Sequence, residues 1–320
     1  MERVRKVVVV FVLALFFASA VFAQEGSDDA VQVVNTAVKS RVRVPENAIV
    51  FNLGYSIPML DNDMVKNSFW DKKLGTGMDF SLGFRRHFMQ RTIEDDEVVN
   101  LPTWFAVGAG VGVSYFHQSI GFGSLRDTLA SYTDVDGDNC DVYFNFQNVK
   151  EAVSLMYLDI PVYLEFGKPD RMKTSAFFKV GVKASLLLSE NVAGEGFYKS
   201  EGYYPKWNVK LHNINPLGYY NNADCYSENE SEYNLSPFVL WGSVSGGVNI
   251  PLSSVKKNRI AKWMFRINAQ IDYSITPISK SLPDSDFSGT KFRLFQSNML
   301  GGDGSKIFSV GLGVGLIYCL

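Results

Sequence analysis

The chain has 320 residues, with 31 Lys and Arg against 33 Asp and Glu and a formal net charge of −2. That balance excludes a nucleic-acid binder, which carries a basic stripe to meet phosphates. Three cysteines are too few for a disulfide scaffold, and aromatics at 14% supply material for the interfacial girdles of a membrane barrel.

The chain opens MERVRKVVVVFVLALFFASAVFAQ. Arg3, Arg5 and Lys6 precede an apolar run from Val7 that ends in a Val-Phe-Ala site before Gln24. This is the pattern of a cleaved signal peptide over residues 1–23. The apolar run falls short of the ~20 residues that a spanning helix needs. Residues 24–47 are polar without sustained period and are expected as a short periplasmic segment.

Eight segments with a period of two follow, and successive strand side chains point to opposite faces. They are 48–60, 75–88, 103–119, 154–168, 174–190, 236–252, 262–275 and the terminal KIFSVGLGVGLIYCL. The last shows the logic best. Phe308, Val310, Leu312, Val314, Leu316, Tyr318 and Leu320 form an apolar wall, and Gly311, Gly313 and Gly315 lie on the other face. Lipid outside and a lumen inside demand such a strand. The third segment, TWFAVGAGVGVSYFHQS, carries no charge but keeps its small residues on one face at period two, which a helix would not. Its glycines lack dinucleotide-fingerprint spacing, and GGDGSK at 301–306 lacks Walker spacing.

Connection lengths agree. PDRMK and SSVKKNRIA are short turns, whereas roughly 34, 45 and 30 residues separate segments three from four, five from six and seven from eight. Short periplasmic turns and long extracellular loops are the outer-membrane pattern. MQRTIEDDEVVNLP, between segments two and three, is long for a turn and reads either as an elaborated turn or as misplaced strand ends. Trp104, Trp263 and Tyr318 fall at periplasmic strand ends, with Tyr115 and Tyr273 at outer ends, as two interfacial girdles require. The expected fold is therefore all-β: a transmembrane antiparallel up-and-down barrel over residues 48–320, of eight strands, or ten if KWNVKLH adds a pair. The expected location is the cell outer membrane.

YLDIPVYLEF (157–166) resembles the Tyr-Leu-x-Ile-Pro-hydrophobic stretch of outer-membrane barrel families of Bacteroidetes-type bacteria, the PorT-like group and small OmpA-like eight-stranded barrels among them. The Gly311, Gly313, Gly315, Tyr318 and Leu320 ending is similar to the barrel-assembly signal, although it closes on Leu rather than Phe. The resemblance implies a Gram-negative outer-membrane barrel engaging lipid and, through its last strand, the assembly machinery. It brings no catalytic residues and no cofactor.

Candidate sites fall in two places. Asp79, Arg85, Asp159, Glu165, Lys179, Lys183, Arg266 and Asp272 lie on lumen faces, with Glu165 expected opposite Lys179 and Lys183 near Asp159. An eight-stranded interior is about wide enough to be filled by side chains, so these charges form either a self-satisfying polar plug or a small-ion path. The loop 191–233 carries Tyr203, Tyr204, Trp207, Tyr219 and Tyr220, suited to capping the barrel or to contacting a protein or glycan partner. DVDGDNCD (134–141) lacks calcium-loop spacing and reads as an acidic turn. Cys140 and Cys225 either pair or stay free. His87, His117 and His212 stand in no catalytic or metal-binding pattern. The expected function is non-enzymatic, carried by extracellular loops as a surface-interaction or assembly component. A small porin is the alternative, and an outer-membrane enzyme the third.

Overall fold

The computed structural model describes residues 47–61, 70–94, 97–134, 136–167, 173–226, 234–252, 262–280, 297–300 and 304–320. The expected signal peptide and all but Asn47 of segment 24–47 lie outside these. Eight strands form the barrel: β1 (Asn47–Asp61), β2 (Thr76–Glu94), β3 (Glu97–Thr133), β4 (Asn139–Phe166), β5 (Ser175–Tyr204), β6 (Phe238–Pro251), β7 (Trp263–Ser274) and β8 (Lys306–Cys319). Each pairs antiparallel with its chain neighbour. β8 pairs with β1 from Ala48↔Cys319 to Asp61↔Lys306, which closes the sheet. Closure removes the open edge that hydrocarbon cannot hydrogen-bond.

The outward face is apolar on every strand of the ring. Leu53, Phe80, Val111, Val162, Val182, Val244, Ile267 and Leu312 are all exposed, with Leu53 at 56% and Leu312 at 59%. Arg85 and Arg266, at 0% and 1%, are buried inside. A surface so apolar around an interior so charged is inverted relative to a water-soluble protein, and lipid is the solvent that accounts for it. Trp263 packs on Tyr318 across β7 and β8, ring centroids 4.7 Å apart, at the short-turn rim. Tyr115 and Tyr273 are exposed at the opposite end. The side chain of Trp104, expected in the first girdle, lies outside the described part.

Two corrections and one choice between readings concern strand extent. The 34 residues between segments three and four are not a loop, because β3 and β4 stay paired up to Thr133↔Asn139 and turn over 134–138. β5 likewise continues to Tyr204 beside β4. Between β2 and β3, Met89↔Pro102 through Glu94↔Glu97 pair as a hairpin, so of the two readings of this segment misplaced strand ends is the one that holds. The ring also settles at eight strands rather than ten. Val209–His212, from KWNVKLH, pairs only with the upper end of β5, as does Ala223–Asp224.

β4 shows why the alternation was hard to follow. Its register against β5 shifts between Gln147 and Lys150, where Asn148 takes φ 50°. Below this bulge Val149, Glu151, Val153 and Leu155 face inward; above it Cys140, Val142, Phe144 and Phe146 do. One extra residue inverts the parity of the strand and bends it. Gly196 opposite has φ +150°, and a Cβ there would lie 2.9 Å from Val149 Cα.

Candidate functional site

From the periplasmic end, the first lumen layer is built on Glu165. Its carboxylate accepts hydrogen bonds from Arg266 Nη1 and Nη2, both 2.9 Å, and from Arg85 Nη1. Arg266 Nε donates to Asn249 at 2.9 Å, and its guanidinium lies 3.8 Å from the Phe177 ring centroid. Strands β2, β4 and β7 are thereby tied through one carboxylate, and Asn249 adds β6 through Arg266. The expected facing of Glu165 and Lys179 holds in register, although the two side chains take other partners. Glu165 turns to the two arginines and Lys179 lies over the Tyr163 ring at 4.8 Å.

In the middle layer Lys183 stands 3.6 Å from both Asp159 and Asp272. Ser185 donates to Asp159 at 2.5 Å and Gln270 to Asp272 at 2.6 Å. Asp79 shares the same small cavity as Asp159, Lys179 and Lys183. All eight expected lumen residues are therefore brought together in two adjoining layers.

Above them sits an aromatic seal that the sequence analysis did not single out. Trp241, fully buried, stacks on Phe116 at 5.4 Å and meets Tyr157 edge-on at 6.2 Å. The Lys183 ammonium lies 4.9 Å from the Trp241 ring, joining seal to polar layer. Trp241 is large and lumen-facing, so its position in SPFVLWGSVSGGVNIPL was the available signal.

Beyond the seal, the extended arms of β3, β4 and β5 enclose an apolar core including Trp70, Ile120, Phe144, Phe146, Val153, Tyr198, Met299 and Leu300. Glu151 is the charged exception, 1% exposed above the lipid belt. It accepts hydrogen bonds from the Ser297 hydroxyl, the Asn298 and Met299 N–H groups (2.9 Å each) and the Tyr226 hydroxyl (3.0 Å). Burial pushes its carboxyl above the ordinary range, and these donors pull against that push. Ser279 and Ser305 donate to the Leu300 and Met299 carbonyls at 2.6 and 2.9 Å. Residues 297–300 are thus stapled into the mouth.

At the tip the five expected loop aromatics divide. Tyr204 and Tyr219 are buried and hydrogen-bonded to each other at 2.9 Å, which corrects their reading as contact residues. Tyr220 is half-buried and meets Tyr198 edge-on. Tyr203, also half-buried, donates to Asn208. Trp207 remains 50% exposed with Lys206 over its ring at 4.6 Å. Asp134 accepts from Tyr204 at 2.6 Å and from the Asp136 and Asp138 N–H groups, so its oxygens serve the turn. The Tyr204 hydroxyl in particular holds this carboxyl below its usual range. Cys140 and Cys225 are free and buried. Burial, followed by the charge of Asp224, pushes the Cys225 thiol up to about 12. His117 shares a hydrogen bond with Ser154 at 2.9 Å on the outer rim, His87 is buried near Arg85, and His212 is exposed beside β5.

No family model and no curated protein matches the chain. Among solved structures it is similar to the outer membrane protein OprG of Pseudomonas aeruginosa, 10% identical over 86% of this chain and 95% of that one, with a TM-score of 0.35. It is also similar to the attachment invasion locus protein Ail of Yersinia pestis in complex with the heparin analogue sucrose octasulfate: 12% identity, 85% and 99% coverage, TM-score 0.23. A third is the translocator domain of autotransporter NalP from Neisseria meningitidis, at 10%, 96% and 97%, with 0.24. The closed eight-strand ring, its apolar outer belt and its charged, packed interior stand on this chain's own geometry. It is an outer-membrane β-barrel.

Proposed function

We propose that the protein is a non-enzymatic outer-membrane component that works through its extracellular head, as a surface-interaction or assembly module for a protein or glycan partner. One observation carries this reading. Three strands continue about sixteen residues past the lipid belt, roughly 40 Å at 3.3 Å per residue and barrel tilt, and enclose an apolar core that runs on from the aromatic seal. A barrel serving only as an anchor needs no such head. At its tip Trp207 offers an exposed aromatic face under Lys206, which also pairs with Asp138, and Lys210 nearby lies over Tyr143 and pairs with Glu201. PorT-like membership is the finer reading, supported by YLDIPVYLEF and the Gly311–Leu320 ending, through which the last strand would meet the assembly machinery.

The test is surface crosslinking on cells displaying the protein. The double variant Trp207→Ala, Lys206→Ala is expected to lose tip-crosslinked partners by tenfold or more while the barrel stays heat-modifiable on gels. Equal capture by both proteins overturns the assignment of the tip.

The small-channel alternative meets the aromatic seal. Planar-bilayer recordings are expected to be silent for the wild type and to show discrete steps for Trp241→Ala, which removes the ring stacked on Phe116. Wild-type steps of comparable size would favour the channel.

A further inference from the structure

The wall does not end level on its periplasmic side. β2 and β3 run on together from Met89↔Pro102 to Glu94↔Glu97, whereas β1 joins β2 only from Asn47↔Arg86 and β4 leaves β3 at Phe105↔Phe166. Below the ring, both edges of this hairpin have no strand beside them among the described residues. Such an edge, with its N–H and C=O groups unpaired, is a template for a further strand. At its turn Glu94 stands opposite Glu97, with Asp95 and Asp96 between them in the chain. Like charges directly opposite in a ladder are destabilising, so this end of the hairpin favours a cationic neighbour.

The chain carries one to the β2 edge. Immediately before β1 the sequence reads VKSRVRVPE over 38–46, outside the described residues. The β1–β2 register, carried upstream without a break, sets Val44 opposite Met89, Val42 opposite Arg91 and Ser40 opposite Ile93 on one face. On the other face it sets Arg43 opposite Gln90, Arg41 opposite Thr92 and Lys39 opposite Glu94. Lys39 thus arrives beside the acidic pair, and Arg41 is diagonal to Glu94.

Pro45 agrees with this register. The Asn47 carbonyl accepts from the Leu320 N–H at 3.1 Å, so the backbone polar groups of Asn47 point to β8 and away from β2. Along a strand that direction alternates. Those of Pro45, Arg43 and Arg41 therefore also point away from β2, and those of Val44, Val42 and Ser40 point towards it. The N–H that proline lacks falls on the open side, where an edge strand tolerates it. A slip of one residue would turn Pro45 towards β2 and move all three cations to the other face.

We propose that residues 39–44 dock as a third strand on the β2 edge of the periplasmic hairpin, with Lys39 opposite Glu94. The segment leading into the barrel would then be tied to its underside.

Disulfide trapping in the folded full-length barrel tests this. Opposed positions whose N–H groups point away from each other have Cα atoms about 4.5 Å apart, within disulfide reach. Arg41→Cys with Thr92→Cys is such a pair, and the three native cysteines are buried. Mild oxidation is expected to close it within one chain, at least tenfold more fully than the slipped pairs Arg41→Cys with Arg91→Cys and Val42→Cys with Thr92→Cys. Adding Val42→Pro, which removes an N–H facing β2, should cut the yield several-fold. Adding Arg43→Pro, whose N–H faces outward, should leave it unchanged. Heat-modifiability on gels shows that each variant has folded, so a missing crosslink counts. No disulfide within one chain, equal yields from the slipped pairs, a yield untouched by Val42→Pro, or a disulfide formed only between two chains overturns the proposal.

Discussion

Glu165→Ala is expected to destabilise the barrel by about 3–5 kcal/mol, the cost of leaving buried charge without its partner. The reason is geometric. One carboxylate accepts from two guanidinium groups that are 0% and 1% exposed, and no second carboxylate hydrogen-bonds either arginine among the described residues. Urea unfolding from lipid vesicles, followed by tryptophan fluorescence, measures the loss. The triple variant Glu165→Leu, Arg85→Met, Arg266→Met gives the contrast. It removes every member of the cluster together, and such replacements are often neutral or stabilising. Glu165→Ala as stable as the wild type would show that water reaches the arginines and that this layer is no plug.

The cluster also marks how far the sequence could be read. Strand membership of all eight lumen charges was legible, because period two places them opposite lipid-facing residues such as Phe80, Val162 and Val182. Their partners were not. In a tilted barrel residues meet across the lumen as well as along the sheet, so Glu165 reaches Arg85 from a strand two places away and Arg266 from one three places away. An even strand number and closure were legible too, since long and short connections alternate, while KWNVKLH left eight and ten strands both open. The head was not, because the bulge at 147–150 inverts the alternation of β4 and makes strand look like loop. Nor does alternation say which side chains fill the glycine face of β8: the space at Gly313 is taken by Asn268, and that at Gly315 by Asn52.

Glu151 is the residue most thoroughly hidden by that bulge, and its replacement gives the second large effect. Glu151→Gln is expected to weaken the docking of residues 297–300 by about 2–4 kcal/mol, from loss of charge-assisted hydrogen bonds and a new donor clash. The pattern of donors dictates this. Oε1 accepts from Ser297 and Met299, and Oε2 from Asn298 and Tyr226. Glutamine can match one oxygen but must set its NH₂ against the other, where the Asn298 N–H is fixed and cannot turn to accept. Tyr226→Phe removes a single hydroxyl donor and should cost about 1 kcal/mol. Limited trypsinolysis of the folded barrel reads the difference. Cleavage between Lys280 and Lys306 should accelerate by more than tenfold in Glu151→Gln and only a few-fold in Tyr226→Phe, with the rest of the barrel intact. Equal rates in wild type and Glu151→Gln would mean that the apolar burial of Met299 and Leu300 holds the segment alone, and that the carboxylate is not the staple of the mouth.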